Sequence, residues 1–473
     1  MRRSSHILRN FIPLIGLISL LALTYPILPT TPFDYVNLNL PAHFSAQSPI
    51  SPAVTDFDNT PINNPLTDDG ATLGRVLFYD KNLSLNNTVS CGSCHLQEFA
   101  FSDTATHSLG FNGGHTRRHS MTIVNARWFW GGKMFWDTRA ASLEDQTLMP
   151  FQDTVEMGLT LPILIQRVQQ ETYYPALFSS AFGDTVVTSD RIAKALAQFI
   201  RSIVSYSSKY DVGRAQVNSS TVAFPNFSTV ENQGKSIFFS AAGHCSNCHK
   251  SDAFLLTPSG PVCNGIDLVS TTDLGLYETT NNSGDIGKFK VPTLRNIELT
   301  APYMHDGRFS TLEEVVDHYS TGIQFHMNLP PGLIDTVTGQ PAAIQLNFTT
   351  AEKASLVAFL KTLTDTTLAT EVKWSDPFTL KTSLANNQTA NISFVIYPNP
   401  ASHTISIVTN EQFNNRVLEI EILTLEGKQI YDNKKFVKPI SSIDISTFPE
   451  GVYFLRIKID GKSMVQRFVK NSQ

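Results

Sequence analysis

The chain lacks a strong charge of either sign. Thirty-six Lys and Arg stand against 41 Asp and Glu, a net charge of −5, which excludes the bulk positive field of a nucleic-acid binder. It also has little long apolar sequence. The one such run, Phe11 to Leu23, is short for a bilayer span, and no other stretch is long enough for a membrane helix. Disorder is excluded as well, because hydrophobic residues make up 41% and charged residues 16% of the chain. At 473 residues there is room for two or three domains with cores of their own. Arg2, Arg3 and Arg9 precede the apolar run, so residues 1–25 read as an export signal. An uncleaved anchor is the alternative, since no clean small-x-small site follows.

Cysteine is sparse too, with five in all, yet four of them stand in two copies of one pentapeptide. Cys91, Cys94 and His95 form the first Cys-x-x-Cys-His, and Cys245, Cys248 and His249 the second. That spacing is what covalent attachment of a c-type haem requires: two thiols add to the porphyrin vinyl groups and the following His ligates the iron. A zinc site or a redox dithiol would leave both histidines unexplained. Cys263 is left over, and reads as a buried filler or inert thiol. Haem c is attached outside the cytoplasm, in agreement with the export signal.

Periodicity divides the rest. Residues 26–60, rich in Pro, Thr and Asn, read as a linker or extended arm. A first haem domain covers 61–211 and closes on a helix with Ile192, Leu196, Phe199, Ile200 and Ile203 on one face and Ser189 or Asp190 as N-cap. A polar stretch, Arg214 to Glu231, precedes the second haem segment, which belongs to a domain over 212–370. There Thr311/Glu314 and Thr349/Glu352 form capping boxes. The two haem segments look like an internal duplication. After a linker at 371–390, residues 391–473 alternate as strands, as in Leu418 to Ile422 and Tyr453 to Ile459, with turn signals at Pro398–Pro400, Glu426–Gly427 and Asp460–Gly461. The expected fold is therefore mainly α, with two c-type cytochrome-like haem domains followed by a small all-β, immunoglobulin-like sandwich. That last part has no cysteine and a single histidine, His403, with no metal-binding company.

Longer runs around the haem motifs resemble the bacterial di-haem cytochrome c peroxidase family, including its MauG-type members. The runs are Leu77-Phe-Tyr-Asp80, Ser90 to His95, Phe101-Ser-Asp103, Phe135-Trp-Asp-Thr-Arg-Ala140, Leu143 to Gln146, Pro150, Glu156-Met157, Val291 to Asn296 and Thr300 to Gly307. The likeness spans about 65 to 365. Tyr397-Pro-Asn-Pro-Ala401, Ile443-Asp-Ile445 and Gly451 to Leu455 resemble the type IX secretion sorting domain. This implies transport across the outer membrane by a secretion machinery, to the cell surface or medium, so the chain is expected to be exported, to the periplasm, the cell surface or outside.

The resemblance implies reduction of hydrogen peroxide to water. Electrons would come from an external donor, such as a small c-type cytochrome or copper protein, through the second haem to the first. It makes Glu156 the distal acid/base, with Gln146 positioning the oxidant beside it, and Trp136 the electron carrier between the haems. His95 and His249 are the proximal iron ligands. The position where activatable peroxidases close the first haem with a histidine is Phe111, which leaves that iron open; His107, His115 and His119 are nearby. At the second haem the distal position falls on Tyr319, and the Leu312, Val315, Val316, Tyr319 stripe independently turns Tyr319 inward and His318 outward or sideways. Met304 and His318 are the reserve ligands. A phenolate favours oxidised iron, which leans toward MauG-type chemistry. A calcium ion held by the carbonyls of Thr300 and Pro302 is also implied. His119, however, occupies the position of its Asn ligand, and calcium prefers oxygen. Thr138 replaces the family's usual Gly. Two other readings stand beside this one: a MauG-like oxidase acting on a protein or organic substrate, and a non-catalytic di-haem electron carrier.

Overall fold

A computed structural model describes residues 28, 31–46, 52–255, 260–336, 340–378, 394–397, 401–409, 417–424, 428–436, 440–459 and 462–471. The export signal and the three turn signals of the tail fall outside these residues. The chain divides into two compact units, Met1–Thr379 and Leu380–Gln473. Among the described residues no helix is long and apolar enough to cross a membrane.

The first unit is helical. Six helices matter here: α1, Asp68–Tyr79; α2, Leu143–Gln152; α3, Ser189–Ser202; α4, Thr229–Phe239; α5, Leu312–Asp317; and α6, Thr350–Lys361. Their starts follow the capping chemistry in the sequence. Thr311 with Glu314, and Thr349 with Glu352, close capping boxes on α5 and α6. The cap of α3 is Thr188, whose side chain accepts from the Arg191 N–H. Ser189 and Asp190 lie inside the first turn instead, where an acidic side chain suits the helix dipole.

Each haem half is built on a pair of crossing helices. α1 meets α3 where a Cβ on Gly74 would overlap the Ala195 carbonyl and Phe199 Cβ. α4 meets α6 where a Cβ on Gly234 would overlap the Ser355 carbonyl and Phe359 Cβ. The contact is the same in both halves: one glycine against a residue and its i+4 neighbour. The repeat continues in the loops. Thr122 Oγ1 donates to the Ala100 carbonyl at 2.6 Å, and Thr293 Oγ1 to the Ala253 carbonyl at 2.7 Å. Asn125 and Asn296 are both left-handed, at φ 60° and 63°. A bridge joins Met134 to Ala140, and another joins Tyr303 to Phe309. In that register Trp136 corresponds to His305, Thr138 to Gly307, Ser142 to Thr311 and Pro150 to Tyr319.

Three segments pack more firmly than their composition suggests. In the 26–60 arm, Tyr35, Phe44 and Val54 are buried in the first core, so the described part is no free linker. The polar stretch after Arg214 carries Phe224 and Phe227 into the second core. Within 371–378, Trp374 is buried, its Nε1 donates to Ser202 Oγ at 3.2 Å, and its carbonyl accepts from Tyr79 OH at 2.7 Å. In each case buried side chains, mostly aromatic, anchor the segment.

The second unit is two antiparallel sheets. One orders its strands Phe394–Tyr397, Thr404–Thr409, Ile440–Asp444; the other, Gln429–Phe436, Val417–Thr424, Gly451–Ile459, Lys462–Lys470. Both supply alternate residues to one apolar core, including Ile405, Ile407, Ile420, Ile422, Leu455 and Ile457.

Candidate active site

The two Cys-x-x-Cys-His segments open onto two separate cavities. Ser90 and Ser93 close a capping box on the one-turn helix Cys91–Cys94, which sets the two thiols on a single turn. His95 then leaves the helix and its Nδ1 meets the Phe101 carbonyl at 2.9 Å, a bond that orients the ring and leaves Nε2 for a metal. Cys94 and His95 line one open cavity. Cys245, Cys248 and His249 line another. Burial lowers both imidazoles, His249 to about 4, so each is in the neutral form that ligates iron. None of the five cysteines is joined in a disulfide. A Cys-x-x-Cys pair followed by a neutral histidine beside a cavity, twice over, fits haem c.

The cavities differ in character. The first is lined by charged and polar groups, among them Arg118, Arg139, Asp137, Gln146 and Glu156. Glu156 is carried on the turn after α2, where its N–H donates to Asp153 Oδ1 at 3.1 Å. Burial and the Asp153 charge raise its carboxyl to about 7, against the opposing pull of Arg139. Pro150 lines the same cavity. Of the three nearby histidines, His107 lies in a different cleft. His119 is committed through Nδ1 to the Ala105 carbonyl at 3.1 Å and through Nε2 to Ser102 Oγ at 3.2 Å. His115 is exposed at the rim with Nδ1 on the His107 carbonyl. Phe111 packs on Gly158, with its N–H directed at the carbonyls of Val155 and Glu156.

The second cavity is mainly apolar, with Phe238, Val315, Val316 and Leu360 in its wall. Tyr319 lines it, as do Met304, Asn264 and Cys263. Burial raises the Tyr319 phenol, opposed by a hydrogen bond with Asn264. Of the two directions expected for His318, outward or sideways, the outward one does not hold: the side chain is buried, its Nε2 meets the Asn264 carbonyl at 3.2 Å and its ring packs on Phe309 and Tyr319. The reason is local: α5 ends at Asp317 and the chain continues as a π turn, His318–Gly322, which shifts the angular phase that an α-helix would hold.

Trp136 and Lys290 border both cavities. The indole Nε1 donates to the His119 carbonyl at 2.8 Å and the ring stands edge-on to His305 at 6.4 Å. The His119 imidazole offers no oxygen, and its two ring nitrogens are engaged with the Ala105 carbonyl and Ser102 Oγ, so it cannot stand in for the Asn ligand of a calcium site.

Family models match at two places. Residues 68–217 match the di-haem cytochrome c peroxidase model and residues 395–471 the secretion system C-terminal sorting domain. The cytochrome c551 peroxidase of Nitrosomonas europaea is 32% identical over 355 residues, 71% of this chain and 91% of that one. The chain belongs to the di-haem cytochrome c peroxidase and MauG family. The methylamine utilization protein MauG of Methylophilus methylotrophus is also 32% identical, over 55% of this chain and 75% of its own. Among solved structures, a MauG-like protein associated with microbial copper homeostasis superposes with a TM-score of 0.60 at 32% identity, over 72% of this chain and 99% of that one. Family membership makes the chain an oxidoreductase with two haem c groups, and its sorting domain marks it for export.

Sequence reasoning passed over two side chains of this site. Pro150 stood only as a motif letter, although the internal register pairs it with Tyr319. Lys290 carried no signal, because a lysine before Val291-Pro-Thr reads as solvated surface.

Proposed function

We propose that this peroxidase-family protein reduces hydrogen peroxide to water at the first cavity, drawing two electrons from an external donor such as a small c-type cytochrome or copper protein. Bound haem c would supply an iron for peroxide in the first cavity and a one-electron relay in the second. His95 and His249 would hold the two irons, and the four motif cysteines would fix the porphyrins. The observation carrying the reading is the pairing of Glu156, a carboxyl held near pH 7, with Pro150 where the second cavity has Tyr319. A proline side chain cannot ligate iron, so a haem held by His95 would find no protein ligand at that position and could offer its iron to peroxide. Glu156 takes a proton from one peroxide oxygen and returns it to the other, and Gln146 orients the oxidant through its amide. Trp136, common to both walls, carries electrons from the second cavity to the first.

Glu156→Gln tests this. Peroxide turnover should fall by roughly 10²–10⁴-fold with haem content unchanged. The wild type should also lose turnover as pH drops below about 7, since protonation removes the base, and the variant should lack that limb. Undiminished turnover removes Glu156 from the mechanism.

Tyr319 favours a second reading, a MauG-like oxidase acting on a protein or organic molecule. An anionic phenolate in the second cavity would stabilise ferric iron and make an ordinary cytochrome a poor donor. Peroxide-dependent oxidation of reduced cytochrome c separates the two: rapid oxidation favours the peroxidase. For the tail, we read the two sheets as an immunoglobulin-like sandwich recognised by the outer-membrane secretion machinery, which would deliver the enzyme to the cell surface or medium.

A further inference from the structure

Lys290 has a placement that peroxide reduction does not use. Lys290 lines both cavities, and its N–H donates to the Trp136 carbonyl at 2.8 Å. Its side chain runs among residues of the first. Nζ donates to the Lys133 carbonyl at 2.8 Å, lies 3.7 Å from Met134 Sδ and stands 3.6 Å from the centre of the Phe129 ring. Phe129 and Met134 line the first cavity.

The other cations of that cavity already have acids. Arg117 pairs with Glu278 at 2.6 Å, Arg118 with Asp137 at 2.6 Å and Asp273 at 2.7 Å, and Arg139 with Asp137 at 3.1 Å. Among the described residues no carboxylate acts on Lys290, and burial alone pushes its ammonium far down. A desolvated ammonium is unfavourable unless it is neutralised or paired. One carbonyl and an aromatic face offset part of that cost, but neither supplies a countercharge. The anions that enter this cavity with the porphyrin are the two haem propionates.

We propose that the Lys290 ammonium pairs with a propionate carboxylate of the haem in the first cavity, a positioning contact that ties that haem to the wall it shares with the second. This rests on both cavities holding haem c, and it is independent of what the first haem reacts with. A cation held beside the porphyrin disfavours Fe(III) relative to Fe(II), so losing it lowers the potential of that haem alone.

The test uses the full-length holoprotein. Haem content is measured first, by the absorbance of the pyridine complex. Potentiometric titration followed optically then reads each haem, and resonance Raman reads the propionate bending mode. In Lys290→Met the first-haem equilibrium should move about tenfold toward Fe(III), 59 mV for one electron, with a shifted propionate mode. The second haem should stay within about twofold of wild type, and Lys290→Arg, which keeps the charge, should resemble wild type at both. Should the Met variant fail to assemble, Lys290→Gln supplies the same charge loss with a polar head. An unmoved first-haem potential, a shift confined to the second haem, or an Arg variant displaced as far as Met overturns the pairing. Two haems without peroxide turnover would sink the proposed function and leave this inference standing, whereas fewer than two haems in the wild type would sink both.

Discussion

Thr138 holds φ at 54° and its counterpart in the second half, Gly307, at 65°. Only the glycine occupies that left-handed region without strain. A Cβ there crowds the following carbonyl by about 1–2 kcal/mol, and a β-branched side chain adds to the crowding. Thr138→Gly should therefore stabilise the haem unit by up to about 1 kcal/mol, the relief of strain less the backbone entropy that glycine gives up. Thermal unfolding of the holoprotein measures this, and a lower midpoint would show that the Thr138 side chain contributes more than its strain removes. At this scale the sequence was legible wherever the chemistry is local. Cys-x-x-Cys-His fixes two thiols and an imidazole on one turn, and the structure needs nothing distant to place them. Pro150 and Lys290 were not legible, because each owes its place to a fold-back of the chain. Pro150 reaches the wall through the turn of α2, and Lys290 through a strand-like contact with Trp136.

At the scale of elements, both halves depend on a helix pair closing over one hydrogen atom. Gly234 on α4 lies so close to α6 that even a methyl group would overlap the Ser355 carbonyl. Backbone cannot move aside as a side chain can, so α4 must shift bodily. Gly234→Ala should cost about 1–3 kcal/mol in denaturant unfolding, and the second haem's absorbance should be lost before the first's. Equal stability would mean the two helices separate without penalty. The helices themselves could be read from the sequence, as the faces of α3 and the boxes of α5 and α6 attest. What the sequence could not give was the π turn after α5. A period of 3.6 residues extrapolates through His318 and Tyr319 as if the helix went on, and a one-residue widening is invisible in the hydrophobic pattern. Tyr319 lines the cavity anyway, since its neighbour took up the phase error and became buried.

For the molecule as a whole, the helical unit carries two apolar cores, and charged residues join segments that composition had set apart. Arg295 is wholly buried and binds Asp211 through both ends of its guanidinium, at 2.5 and 2.8 Å. Asp211 also meets His43 Nε2, on the N-terminal arm, at 2.9 Å. Burial would raise the Asp211 carboxyl, but the Arg295 charge and the hydrogen bonds of His43 and Ser208 outweigh it and hold the group well below the usual carboxylate range. A depressed carboxyl contributes stability that is present above its unfolded value near 3.9 and is lost as pH falls through the lower folded value. Arg295→Met should thus cost about 3–5 kcal/mol near neutral pH, because it leaves a buried carboxylate without its cation, and less as the medium becomes acid enough to protonate Asp211. Urea unfolding at pH 7 and at a pH below that of the folded carboxyl measures both. A penalty that did not shrink in acid would assign the loss to packing, and the arm, the first half and the second half would then be joined by shape rather than by charge.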